Sequence, residues 1–265
     1  MAESTLSLTR DNLRDAVGFY LGFGPASSAY TADNLVGCDK CIDIGLRSFY
    51  SPLPLPGETE SYSWSFLTPF MDLPLYADQL DYDCPDDFAG LIGHKAYLSS
   101  DNTNWNDIRI VNTARIFSLR QGGPSVVSGP PTNIAIQAKK SDGVLPTRWQ
   151  LLVWPTPDGD YTLKVQYQSN PFQLTGGQSY HLGGQPHSET IREACLAAAE
   201  REFDSEVGLH NANFMARLVS SGAIDRRLTG PNYLGPNLDR SGRRRFDQRT
   251  QWGSELVTYN GTQFE

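Results

Sequence analysis

The chain has 265 residues, 39% of them hydrophobic, enough to bury a sizeable core as one domain with insertions or as two modest ones. Its formal net charge of −8 makes it a poor general binder of nucleic acid, because affinity for the phosphate backbone needs lysine and arginine. The charge is uneven: residues 225–265 carry seven arginines and five acids, a net +2, while the other 224 residues carry a net −10.

Residues 9–22 read as a first helix, with Leu13, Val17 and Tyr20 or Leu21 as its apolar stripe and Phe23-Gly24-Pro25 ending it. A second helix spans about Ala32 to Phe49, with Leu35, Ile42, Leu46 and Phe49 facing inward. Ser51-Pro-Leu-Pro-Leu-Pro56 is too rich in proline for helix and is expected to be extended. Strands are then expected at Tyr62–Leu67, where aromatics alternate with serine, and more weakly at Tyr76–Tyr82, with a turn at Cys84–Gly90. Ile108–Val111 and Asn133–Gln137 are further strands, with a short helix at Ala114–Arg120 and a Gly/Pro loop at 122–131 between them. Gln150–Trp154 and the alternating run Tyr161–Tyr167 flank a turn-dense segment, Pro155–Asp160, and read as an antiparallel hairpin. After the Gly-rich loop, Ser188 is the expected N-cap of a helix that carries Ile191, Cys195, Ala198 or Ala199, and Phe203 to Asp204, with Gly208 as a stop. A last helix covers about Asn211 to Asp225, with Phe214, Leu218 and Ile224 at helical spacing.

The expected fold class is therefore α+β. A helical bundle is built from the N- and C-terminal helices, with a long β-rich insertion, antiparallel and barrel- or sandwich-like, and an extended C-terminal tail. The boundaries are 1–50 for the N-terminal helices, 51–185 for the insertion, 186–227 for the C-terminal helices and 228–265 for the arm. No apolar run approaches the ~18–20 residues that cross a bilayer. The start Met1-Ala-Glu-Ser-Thr lacks the layout of a secretory signal, so the expectation is a protein made and kept in a cytoplasm. Four cysteines in a chain of this size do not suggest a disulfide framework.

Residues with chemical potential are few, and each has an ordinary structural use. Cys38 and Cys41 have half the spacing of a zinc site, but no second pair completes it, and two thiols at i and i+3 in a helix suit packing. His187 has no nucleophile elbow or orienting carboxylate beside it, which favours capping or packing. Asp81, Asp83, Asp86 and Asp87 cluster where a cation or a glycosidase acid pair is conceivable, yet they lie where turn aspartates are common. Trp64, Trp105, Trp149 and Trp154 are suited to stacking on sugar rings or to a core. Gly122-Gly123 and Gly176-Gly177 match no phosphate-cradling pattern. No catalytic, cofactor or metal site is expected.

The tail is unlike typical disorder. It spaces Tyr233, Leu238, Phe246, Trp252, Tyr259 and Phe264 with glycine, proline and asparagine, and it carries the basic run Arg243-Arg244-Arg245. Such a segment cannot form its own core and is suited to ordering along another chain. These nine residues are the expected partner-binding set.

In order along the chain, several segments resemble the head–tail adaptor, or neck, proteins of tailed phages, including the tail tubular protein A type of short-tailed phages. They are Ile44–Tyr50, Trp64–Leu67, Leu80–Phe88, the Leu152–Asp158 segment with Tyr161–Leu163, His187–Thr190 opening an Ala-rich helix, and Asp225-Arg226-Arg227. The resemblance implies a structural protein of the virion rather than an enzyme. It implies a ring, a dodecamer, beneath the portal protein, with a downstream tail or nozzle protein below and the C-terminal segment reaching the portal. DNA would slide through its lumen without sequence-specific contacts, which an acidic body suits. The alternative expectation is a carbohydrate-binding or carbohydrate-active tail component using the tryptophans and aspartates of the β region.

Overall fold

A computed structural model describes the chain at residues 4–54, 59, 61–93, 95–121, 127–140, 143, 147–205, 207–228, 258–259 and 262–263. The chain divides into two compact units, Met1–Leu228 and Thr229–Glu265.

Helix α1, Arg10–Tyr20, starts at Thr9, whose hydroxyl accepts from the Asn12 N–H while the Asn12 side chain accepts from the Thr9 N–H. Helix α2, Ala32–Tyr50, is capped in the same sense by Thr31. Arg14 donates to both oxygens of Asp39, each at 2.7 Å, and Arg10 adds a third bond, so a carboxylate on α2 joins the two helices. Helix α3, Thr113–Arg120, begins at the cap Asn112. Helix α4, Gln185–Ala199, runs on into a π-helical turn over Glu200–Asp204, and Ser205 ends it in the left-handed region. Helix α5 is Leu209–Leu228.

The strands are β1 Phe70–Leu75, β2 Asp81–Asp83, β3 Phe88–Leu91, β4 Lys95–Ser99, β5 Asn106–Ile110, β6 Asn133–Ala138, β7 Trp149–Trp154 and β8 Tyr161–Ser169. All eight belong to one sheet, in the order β1-β8-β4-β5-β6-β7-β2, with β3 joined to β8 beyond β4. Strand β8 alternates in burial, with Leu163, Val165 and Tyr167 inward, and it is long enough for β3 and β4 to share one edge while β1 takes the other. The one parallel pair, β5 with β6, is joined through α3, whose Ile116 packs on Ala135 and Leu152. In the second unit Thr258–Tyr259 (β9) and Thr262–Gln263 (β10) pair antiparallel.

The expectation of a helical bundle carrying an inserted β region is corrected. The fold is α+β and mostly sheet-based, a nearly closed, barrel-like eight-stranded sheet with five α-helices among the described residues. Periodicity identified the helices but could not show their partners. Helix α3 packs on the sheet, and α5 packs chiefly on α4, so the terminal helices gather about α4 without closing into a bundle. The tail is not simply extended either, since β9 and β10 form a small ribbon.

Other local expectations also fail for identifiable reasons. The hairpin of 150–154 with 161–167 does not form: β7 is flanked by β6 and β2, and β8 by β1, β4 and β3. Tyr62–Leu67 is not a strand, because its rings turn into the helical core through a single 3-10 turn at Ser65–Leu67. Ser188 is not a cap. The helix starts earlier, after Gly184 at φ +70°, and Ser188 is buried inside its first turns.

Two cores result. One lines the inside of the sheet with Leu75, Ile108, Ile134, Leu151, Val153, Leu163 and Val165. The other joins α1, α2, α4 and α5 to Trp64, Leu67 and Leu174. At its centre a Cβ added to Gly45 would stand 2.6 Å from the Cys195 backbone nitrogen, so only glycine lets α2 come this close to α4.

Candidate functional site

The helical core ends in a polar clamp at the last turns of α5. Asp225 is 2% exposed. It accepts from the Ser65 N–H at 3.0 Å and the Tyr62 hydroxyl at 2.9 Å, and it also accepts a very short hydrogen bond from the Ser65 hydroxyl. The guanidinium of Arg226 lies 5.0 Å over the Tyr62 ring. Burial and the Asp225 carboxylate push the Tyr62 phenol up to about 12, so it remains a donor at any physiological pH. Helix α5 is thus held at its final turn by a loop that runs from the helical core to strand β1.

Behind the clamp is an aromatic cluster. Trp64 donates from Nε1 to the Phe49 carbonyl at 2.8 Å and stacks on Phe49 at 4.5 Å between centroids, with Phe66 at 5.5 Å. His187 sits against Phe49, Trp64 and Phe66. Its buried Nδ1 has no hydrogen-bond partner among the described residues. His181 holds Ser188 at 2.8 Å through Nε2 and meets the Leu182 carbonyl through Nδ1, an arrangement that orders the loop before α4. Ser188 Oγ also accepts from the Leu8 N–H.

Burial lowers the His187 pKa, Asp225 opposes this more weakly, and His181 adds to the lowering. A histidine whose folded-state pKa is depressed binds protons more readily when unfolded. Stability is therefore full above the ordinary histidine value near 6.5 and falls as the pH drops below it. The urea midpoint of the wild type should decrease between pH 7.5 and pH 5.5. His187→Phe, which suits the aromatic surroundings, should remove that part of the decrease.

The chemically suggestive residues are placed apart, and most are occupied. Cys38, Cys41 and Cys195 are buried and free. Burial pushes the Cys41 thiol up to about 11 and raises Cys38 and Cys195, which keeps all three neutral. Asp81 pairs with Arg120 at 3.0 Å, Asp83 with Lys139 at 2.5 Å, and Asp87 accepts from the Tyr167 hydroxyl. Asp86 lines a pocket of about 90 Å³ with Arg148 and Trp149. Among the described residues no three His, Cys, Asp or Glu side chains group as metal ligands. Trp64 is core, Trp149 packs near Phe88 and Trp154 beside Ile116. Trp105 alone of the four lines an open cleft, of about 420 Å³, with Phe70, Tyr97 and Lys164 on the outer face of β1, β8 and β4.

Of the expected arm residues, Tyr259 is the second residue of β9. Tyr233, Leu238, Arg243, Arg244, Arg245, Phe246, Trp252 and Phe264 lie outside the described residues, as do Gly122 and Gly123. The clamp of Tyr62, Ser65 and Asp225 was not foreseen; its only sequence signal is an aspartate inside an apolar helical stripe.

Several large apolar side chains stand outside both cores. On the helices and their connections these are Phe19, Val36, Phe203, Val207, Leu209 and Val219. Among the described residues no helix is long and apolar enough to cross a membrane. No protein-family model matches this sequence, and neither does any curated protein.

Proposed function

We propose that this chain is a structural head–tail adaptor of a tailed phage. Its copies form a ring beneath the portal, link the capsid to a downstream tail or nozzle protein, and surround the exiting DNA. The observation that supports this reading is the set of large apolar side chains left outside the cores of the first unit. A monomer gains nothing from exposing them, and neighbours in a closed ring would cover them. The net charge of −10 outside residues 225–265 suits a channel wall that phosphates do not adhere to. The arm is the portal-facing element. Localisation is the virion neck, after synthesis in the host cytoplasm, and no chemistry is assigned to the chain.

Deleting residues 229–265 tests this reading. The truncated chain should keep the thermal unfolding transition of the first unit and lose co-sedimentation with portal rings. Equal docking of truncated and full-length chains would remove the arm from the account. Negative-stain images showing no rings with the portal would remove the adaptor reading itself.

One observation favours a second reading, a carbohydrate-binding tail component. The Phe70–Tyr97–Trp105 cleft is an open aromatic surface with the Lys164 ammonium 4.8 Å over Trp105. On that reading Trp105→Ala loses retention on host polysaccharide and leaves portal docking untouched. Full retention by the variant would discard it.

A further inference from the structure

Helix α5 is apolar on two sides. Phe214, Leu218, Ser221 and Asp225 form the buried side against α4. Ala212, Ala216, Val219 and Ala223 lie on the opposite side, all exposed, with Met215 beside them. Met215 is 37% exposed and Val219 46%. The spacing of the second row, four, three and four residues, is that of a helix–helix seam, and it extends for about 17 Å at 1.5 Å per residue. Small side chains in such a row let another helix approach closely. A helix with apolar residues on both sides is one with partners on both sides.

The flanks of this row indicate which helix would cover it. Its C-terminal end carries Arg226, which lies over the Tyr62 ring, and the exposed Arg227. Pairing α5 with another α5 offers Arg227 no acid, because the only acid on the helix is Asp225, which is buried. Helix α1 presents the complement. Asp11, Asp15 and Phe19 follow one another at intervals of four along one side, with Asp11 and Phe19 exposed. Phe19 is 70% exposed. Phe19 lies eight residues from Asp11, and Val219 lies eight residues from Arg227, about 12 Å in each case. Laid antiparallel, the apolar side chains meet at one end and the opposite charges at the other. Asp15 is half-buried and accepts from the Ser27 N–H at 2.6 Å, but Asp11, Phe19 and the outer row of α5 are exposed in a single chain, so these would meet only between copies.

We propose that the outer row of α5 docks antiparallel on the Asp11–Asp15–Phe19 face of α1 in a second copy of this chain. Because the two surfaces differ, the contact is head-to-tail and propagates around a ring rather than stopping at a pair. The proposal rests on the assembly reading above and specifies the contact within it.

Disulfide trapping in the full-length chain tests the contact. A chain carrying both Phe19→Cys and Val219→Cys should give a ladder of cross-linked multimers under mild oxidation. With the half-buried Cys84 replaced by serine throughout, either single variant, and the parent with its buried Cys38, Cys41 and Cys195, should give none. Asp11→Arg in the double-cysteine chain should reduce the ladder about two- to fivefold, and adding Arg227→Asp should restore it. Dimers from Val219→Cys alone would overturn the α1 assignment in favour of an α5–α5 contact. Absence of a ladder from a chain that still forms rings with portal would overturn this contact and spare the adaptor reading. Absence of both would overturn both.

Discussion

Replacing Trp64 with alanine is expected to destabilise the first unit by about 3–5 kcal/mol, the usual cost of deleting a buried indole. The side chain is 1% exposed and has no route to compensation. Its ring stacks on Phe49 and on Phe66, which are themselves 6.5 Å apart, with Tyr62 edge-on at 4.9 Å, so removal leaves three aromatic rings around a void. The Phe49 carbonyl at the end of α2 loses its donor at the same time. A urea titration followed by far-UV circular dichroism measures the effect. Because Trp64 links α2 to the loop that enters β1, near-UV signals from the helical core and from the sheet should be lost together. A change below about 1 kcal/mol would mean that the cluster repacks and that Trp64 does not organise the joint.

Replacing Asp225 with alanine is the second large effect, expected at about 2–4 kcal/mol. The carboxylate receives the Ser65 N–H, the Ser65 hydroxyl and the Tyr62 hydroxyl, all in a region largely shielded from water. Without it, the Ser65 N–H and hydroxyl must be left unpaired or hydrated while the Tyr62 hydroxyl keeps the Gly222 carbonyl at 3.2 Å, and an unpaired buried donor costs more than the bond itself contributes. Asp225→Asn preserves shape and one acceptor, so it should fall between wild type and alanine. Hydrogen exchange locates the damage: amides in the last two turns of α5 should exchange faster in Asp225→Ala, while those of β6 and β7 should change much less. Equal acceleration throughout the sheet would show that Asp225 supports the whole unit rather than the end of one helix.

The helices were the legible part of the chain. Leu13 and Val17, Ile42, Leu46 and Phe49, and Phe214 and Leu218 all occupy the buried positions that their spacing implied. Strands β5 to β8 were also found within a residue or two, because β-branched and alternating runs mark them. Strands β1, β3 and β4 were not. Phe70-Met-Asp-Leu-Pro-Leu75 contains a proline, Phe88-Ala-Gly-Leu91 a glycine, and Lys95–Ser99 is too short to alternate convincingly. Strand partners were the least accessible level. The segments β7 and β8 were recognised, yet they do not pair with each other: β7 joins its predecessor β6 and the distant β2, and β8 joins β1, β3 and β4, which the turn chemistry between them cannot reveal. The clamp at Asp225 was hidden for the same reason: its partners are about 160 positions away. Trp64 was legible as an aromatic among serines but not as the centre of a core, since alternation suggests a strand wherever large and small residues take turns.

The two strands that end the sheet explain aspartates that chemistry left without a task. Strand β2 is three residues long and carries Asp81 and Asp83; strand β1 carries Asp72 and Pro74. Short length, fixed charge and a missing amide each discourage a foreign strand from adding to a free margin. At these margins the four residues act as fenders that keep an encounter with another strand from extending the sheet into a fibril.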